Sequence, residues 1–215
     1  MILILTVIEF LCGSLMFSYW LGLAAGKDLR TVGDGNPGAF NLWQAAGFKF
    51  GIAGVFLDFI KGYLPLAVFI TAGYTSGLAL VPIAIAPILG HAFSPFLGFR
   101  GGKSIAVTFG VWSAVTNFVV SFAYAVILAL LMVVAKFYRK GKPTSTETDA
   151  FMDVFGMAVV LIGLILMDFP SNLVLLCLLN FLILTYTNRQ KLYAFFKLHP
   201  TLPRVNNKPP TQSHP

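Results

Sequence analysis

The chain has 215 residues, of which 57% are hydrophobic and only 11% are charged, and its net charge is +7. A soluble domain carries about 25% charged residues, because it must cover its surface with polar groups. The composition excludes an ordinary soluble domain, a disordered chain, a collagen-like chain and a disulfide scaffold. It indicates an all-α, polytopic membrane helix bundle.

Apolar runs long enough to cross a membrane, which takes about 20 residues, follow one another along the chain. They cover about 2–25, 51–73, 78–97, 151–168 and 172–187. The first run could also be a signal peptide, but no Lys or Arg precedes it and Glu9 lies inside it. Residues 104–136 are too long for one span at about 1.5 Å per residue. We expect a hairpin of two short membrane helices there, or a broken helix, which makes about seven helices in all.

The basic residues outside these runs are sorted to one side. They follow the first run, the third run and the hairpin, and they recur in the tail, whereas the turns at 73–77 and 169–172 contain none. The positive-inside rule then predicts that the N-terminus faces out and the C-terminus is cytoplasmic. Because these loops account for the positive charge, we predict no nucleic-acid partner. Residues 1–198 are interpreted as one membrane-embedded domain, and 199–215 as a disordered cytoplasmic tail.

The loop at 26–41, on the predicted inner side, has a composition suited to an anion. It contains four glycines, and glycine lets backbone N–H groups approach an anion closely. Arg30 adds a two-pronged phosphate donor, and Asn36 and Asn41 add amide donors. The alternative is a flexible loop at the membrane surface.

The loop at 90–103 is the second candidate. Its Arg100-Gly101-Gly102-Lys103 stretch places two cations around two glycines just before an apolar helix, where a helix N-terminus attracts anions. It is not a nucleotide P-loop, because Leu97 stands where that motif needs glycine. His91, at the inner end of the third run, is either a structural hydrogen-bonding residue or a catalyst.

Three ionisable residues, Glu9, Asp58 and Lys61, lie inside the apolar runs. Such residues face a bundle interior or a wet cavity, and the three-residue spacing of Asp58 and Lys61 allows them to pair. The features together predict an anion site at the cytoplasmic membrane surface, with an apolar chain held between the helices. The three His and two Cys show no ligand spacing, so we predict no metal and no cofactor.

Three stretches of the chain resemble one known family. They are Gly13-Ser14 with the loop at 28–41, then Asp58-x-x-Lys61-Gly62, and finally Gly90-His91-x-Phe93 with 99–103 and Thr108. In order and spacing they are similar to the integral-membrane glycerol-3-phosphate acyltransferases that use acyl phosphate, the PlsY family.

This resemblance implies a multi-pass protein of the cell membrane with its site on the cytoplasmic face. It implies transfer of a fatty acyl group from acyl phosphate to the sn-1 hydroxyl of glycerol 3-phosphate, giving lysophosphatidic acid for phospholipid biosynthesis. The expected partners are acyl phosphate, glycerol 3-phosphate and membrane lipids. The expected catalytic residues are Lys103, Arg100 and His91, and Asp34 is added to them because a carboxylate at this position could act as a general base. The expected phosphate-binding residues are Arg30, Gly35, Asn36, Gly38, Asn41, Gly101 and Gly102. Intramembrane polar support is expected from Ser14, Asp58 and Lys61.

The chain departs from the family pattern at three places. Asp34 stands where the family usually has Ser, Phe40 stands where it usually has Thr, and its last motif survives only as a trace at 187–191. Three alternatives follow. Asp34 could act as general base for a hydroxyl acceptor that lacks phosphate. The protein could bind an anionic lipid or a phosphorylated metabolite without catalysis, or it could be a small transporter.

Overall fold

The structure, a computed structural model, describes residues 1–196, and over that range its regular secondary structure is entirely helical. The α-helices are α1 Ile2–Ser14, α2 Phe17–Ala24, α3 Ala39–Ala46, α4 Phe48–Thr71, α5 Leu80–Ala92, α6 Ile105–Thr116, α7 Val119–Tyr138, α8 Thr146–Leu166 and α9 Ser171–Phe195. The tail predicted to be disordered, 199–215, lies outside the described residues.

Six helical segments of the described range are long and apolar enough to cross a membrane. They are Ile2–Ala24, which contains α1 and α2, then α4, the segment Gly77–Leu97 around α5, and α7, α8 and α9. The twelve residues of α6 rise only about 18 Å, less than a hydrocarbon core of about 30 Å. The predicted all-α polytopic bundle of about seven helices is thus confirmed. The orientation of its termini stays a prediction.

Residues 104–136 form a hairpin of two helices, the first of the two arrangements expected there. Asn117 and Phe118 both have left-handed backbone angles, with φ of 48° and 67°, and α6 ends there before α7 begins. Across the turn the Ser113 hydroxyl donates to the Ser121 hydroxyl at 2.9 Å. The hairpin returns the chain to the end of the bundle at which α6 began.

The first span is interrupted, which the sequence did not predict. Leu15 is extended between α1 and α2, and two carbonyls are therefore free to accept bonds from elsewhere in the fold. The Ser94 hydroxyl donates to the Ser14 carbonyl at 2.7 Å, and the Lys61 ammonium donates to the Leu15 carbonyl. Tertiary partners satisfy the backbone groups that the break exposes.

Glycines allow two pairs of helices to pack backbone against backbone. Gly13 of α1 lies against the backbone of Pro87 in α5, and Gly110 of α6 lies against the Phe59 carbonyl in α4. Without a hydrophobic force between helices in lipid, such close van der Waals packing is a main source of association. These contacts position α5 and α6, which flank the second glycine-rich loop.

We predict that Gly110→Ala destabilises the protein by about 1–3 kcal/mol, because the added methyl group meets backbone that cannot move aside. Thermal unfolding in detergent measures this. The control is Gly163→Ala in α8, where a Cβ would meet no described atom within 4 Å. It should leave the melting temperature unchanged or raise it slightly, since alanine favours helix. Equal melting temperatures for the two variants would contradict the packing argument.

Candidate functional site

Asn41 organises the first glycine-rich loop from beneath. Its side chain is 2% exposed, and its amide nitrogen donates to the Val32 carbonyl at 2.8 Å, the Asp34 carboxylate at 3.0 Å and the Asn36 carbonyl at 2.9 Å. Gly35 adopts φ +75°, a left-handed conformation that suits glycine. The loop is therefore a built turn rather than a flexible connection.

The second loop folds back onto the end of α5. The N–H of Gly101 donates to the Ala92 carbonyl at 3.1 Å, and that of Gly102 donates to the His91 carbonyl at 3.0 Å. A Cβ at Gly101 would collide with the His91 carbonyl, so glycine is needed for this close approach. Since these N–H groups are already bonded, side chains rather than glycine amides are the free donors here.

An ion pair joins the two loops. Lys103 Nζ lies 2.8 Å from Asp34 Oδ2, and the side chains are 21% and 7% exposed. Asp34 Oδ1 also accepts the Asn36 N–H at 3.2 Å. Burial by itself raises the pKa of Asp34, but the Lys103 charge and the bonds from Asn41 and Asn36 outweigh it and hold the pKa below its ordinary value. Asp34 is therefore a carboxylate at neutral pH.

A pocket of about 380 Å³ opens where the loops meet α9. It is lined by Asp34, Gly35, Asn36, Ala92, Phe93, Phe99, Arg100, Gly101, Gly102, Lys103, Tyr186, Thr187, Arg189, Gln190 and Lys191. Four of these side chains are cationic and one is anionic, so the pocket is suited to a small anion such as a phosphate ester.

The pocket unites seven of the residues predicted for the site, namely Asp34, Gly35, Asn36, Arg100, Gly101, Gly102 and Lys103. Four others do not line it. Arg30 is 56% exposed, pairs with Asp28 at 3.3 Å and lies over the Tyr19 ring at 4.9 Å. Asn41 lies beneath the loop, Gly38 precedes α3, and His91 lies behind the second loop.

A buried polar cluster supports the second loop from inside the bundle. Lys61 Nζ lies 2.7 Å from Asp58 Oδ1 and 2.8 Å from His91 Nδ1, and the Ser18 hydroxyl donates to Asp58 Oδ2 at 2.6 Å. Since an ammonium only donates, His91 Nδ1 accepts and the ring proton lies on Nε2, which faces Gly102. The predicted pairing of Asp58 with Lys61 is present. The catalytic role predicted for His91 stays a prediction.

Sequence reasoning left out the part of the pocket supplied by α9. Tyr186, Arg189 and Lys191 line it, and Lys191 also bonds the Thr146 hydroxyl at 3.1 Å and lies 3.5 Å from Glu147. The sequence by itself identifies the stretch 187–191 only as a trace of a motif. The position of this stretch is the signal that could have found it. It is polar and continues the last apolar helix at the end of the bundle where the basic residues are concentrated, so it must lie near the two loops.

The fold and the pocket together define a class: a multi-pass membrane protein that presents a cation-lined anion pocket at the end of its helix bundle. Comparison with known proteins gives the family. The family model described as glycerol-3-phosphate acyltransferase matches residues 3–197, so the chain belongs to that family.

Curated relatives and solved structures agree. Glycerol-3-phosphate acyltransferase 1 of Thermotoga maritima is 39% identical, over 90% of this chain and 97% of its own. The enzyme of Aquifex aeolicus is 30% identical, over 88% and 93%. Crystal structures of PlsY (YgiH), an integral membrane glycerol 3-phosphate acyltransferase, match with TM-scores of 0.76 for the glycerol 3-phosphate form and 0.77 for the lysophosphatidic acid form. They are 26% and 25% identical, and each match covers 91% of this chain and 92% of theirs.

We predict that Lys61→Met destabilises the protein by about 3–5 kcal/mol, because it leaves the Asp58 charge buried and unpaired. The double variant Asp58→Asn/Lys61→Met should recover most of that loss, since no charge then remains unpaired. Thermal unfolding of both variants in detergent provides the measurement. A double variant as unstable as the single one would contradict this account of the cluster.

We also predict that Asp34→Asn lowers stability at pH 7 by about 1.5–3 kcal/mol, the contribution of hydrogen bonds to a charged group. A carboxyl group with a lowered folded-state pKa stabilises the fold above its unfolded pKa of about 3.9. That contribution to stability is lost as the pH falls through the lowered folded-state pKa of Asp34. The difference in melting temperature between wild type and variant should therefore be full at pH 7 and shrink below about pH 4. A difference that grew on acidification would refute the pairing.

Proposed function

We propose that the protein transfers a fatty acyl group from acyl phosphate to the sn-1 hydroxyl of glycerol 3-phosphate, giving lysophosphatidic acid. The observation that carries this proposal is the pocket that joins both glycine-rich loops and four cationic side chains. Both substrates are phosphate esters or anhydrides, which such a pocket suits. The names of the matched structures support the acceptor, since they include a glycerol 3-phosphate form and a lysophosphatidic acid form.

In the proposed reaction the acceptor hydroxyl oxygen bonds to the acyl carbonyl carbon. The bond from that carbon to the bridging phosphate oxygen breaks, inorganic phosphate leaves, and the hydroxyl proton passes to phosphate or water. Lys103 and Arg100 hold the phosphates and stabilise the charge that develops on the carbonyl oxygen. Because phosphate is a good leaving group, a strong general base is not required.

The remaining predicted residues support the site. Asn36 lines the pocket and adds an amide donor, while Asn41, Gly38, Gly101 and Gly102 maintain the loops. Arg30 lies outside the lining and would meet a phosphate only at the approach to the pocket. The Asp58–Lys61–His91 cluster ties the middle of α4 to the end of α5, and the Ser14 carbonyl at the end of α1 accepts the Ser94 hydroxyl.

The proposed site faces the cytoplasm of the cell membrane, with the N-terminus outside. The sorting of basic residues supports this orientation, because the pocket is at the end where the Lys and Arg residues outside the spans are concentrated. Water-soluble glycerol 3-phosphate then reaches the pocket from the cytoplasm, while the acyl chain of the donor remains in the bilayer.

A non-catalytic or altered-acceptor member of the family is the second candidate. The observation that favours it is the ion pair of Lys103 with Asp34, which engages the cation that would otherwise bind a substrate phosphate. Such a protein would bind an anionic lipid or a phosphorylated metabolite without turnover.

We predict that the purified protein makes lysophosphatidic acid from long-chain acyl phosphate and labelled glycerol 3-phosphate, acylated at sn-1. Lys103→Ala should lower turnover about 100-fold or more, as the loss of a transition-state donor does. The control is Lys49→Ala, which removes a cation at the start of α4, outside the pocket lining, and should retain activity.

Chromatography of the labelled product measures both yield and position. Binding of glycerol 3-phosphate without any product would favour the non-catalytic candidate. Full activity of Lys103→Ala would refute the proposed site.

A further inference from the structure

We propose that Asp34 is a specificity-determining residue that accepts a hydrogen bond from a hydroxyl group of the phosphorylated acceptor while it orients Lys103 toward the acceptor's phosphate. The pocket would therefore select a phosphate ester that carries a nearby hydroxyl group over one that does not. This inference rests on the proposed acceptor, glycerol 3-phosphate, and does not depend on the identity of the acyl donor.

The first argument is the accepting capacity of the carboxylate. A carboxylate has about four lone-pair sites. Oδ1 accepts two bonds, from Asn41 Nδ2 at 3.0 Å and from the Asn36 N–H at 3.2 Å. Oδ2 pairs with Lys103 at 2.8 Å. One site on Oδ2 is therefore left over, and Asp34 lines the pocket, where a ligand hydroxyl group can reach it.

The second argument is the donating capacity of Lys103. Its ammonium has three protons, of which one is engaged by Asp34 in the described structure. The other two are available to a phosphate oxygen in the same pocket. A free lone pair and free protons thus lie on atoms only 2.8 Å apart, which matches a ligand that presents a hydroxyl donor beside an anionic acceptor.

The third argument is electrostatic. A phosphate held by Lys103 must lie near the Asp34 carboxylate, and two negative charges a few ångströms apart repel each other. A ligand with only acceptor oxygens meets that repulsion without compensation. A ligand that donates a hydroxyl hydrogen to Asp34 gains a charge-assisted hydrogen bond at the same place. The lowered pKa of Asp34 suits an acceptor of hydrogen bonds better than a general base.

The test compares two ligands that differ in their hydroxyl groups. Glycerol 3-phosphate and n-propyl phosphate are titrated calorimetrically into the full-length protein in detergent, with no acyl donor present. Wild type, Asp34→Asn and Asp34→Ser are compared, after thermal unfolding has confirmed that each is folded. The control is Asp168→Asn, which removes one negative charge from the exposed turn at the opposite end of the bundle, where φ is +54°.

We expect wild type and Asp168→Asn to bind glycerol 3-phosphate at least about tenfold more tightly than propyl phosphate, the effect of one charge-assisted hydrogen bond. Both Asp34 variants should lose most of this preference. The affinity for propyl phosphate itself should rise about fivefold, because the neighbouring negative charge is gone.

Two results would overturn the inference. Equal tightening of both ligands in the variants would leave the preference unchanged and show an effect of charge alone, and unchanged affinities for both ligands would show that Asp34 does not contact them. Wild type that binds glycerol 3-phosphate selectively but forms no product with acyl phosphate would leave this inference intact and refute the proposed reaction. Wild type that does not bind glycerol 3-phosphate would refute both.

Discussion

The fold depends on one constraint: two full charges buried among membrane helices must be paired. Asp58 and Lys61 lie one turn apart on α4, and both are almost fully buried. An isolated charge there would be very unfavourable, so the surroundings supply partners. Ser18 comes from α2, His91 from α5 and the Leu15 carbonyl from the break in the first span. The interruption of that span and the inner end of α5 are thus tied to one ion pair.

The site is built directly on this cluster. The ring of His91 lies between the cluster and Gly102, and the backbone carbonyl of His91 accepts the Gly102 N–H. The second loop is therefore held against a rigid support. Precise placement of catalytic groups needs such supporting contacts. The first loop has its own support in Asn41, and the Asp34–Lys103 pair then links the two loops. Contacts inside the bundle in this way fix the positions of the residues that line the pocket.

The charge of the pocket is partly balanced from within. Four cations line a volume of about 380 Å³, an environment suited to a small anion. Asp34 reduces the net positive charge while keeping Lys103 ordered. The negative charge of Asp34 therefore has an internal compensation, since the carboxylate is bonded to Asn41, Asn36 and Lys103.

The sequence by itself determined the membrane class, the approximate spans, the hairpin at 104–136 and the two loops of the site, because apolar run length, glycine content and charge sorting are local properties. It also indicated the pairing of Asp58 with Lys61, which follows from helical spacing. Only the tertiary structure decided that Leu15 breaks the first span, that Arg30 lies outside the pocket, and that Arg189 and Lys191 line it. Those outcomes depend on which distant groups compete for each carbonyl or charge, and that competition exists only once the helices have packed.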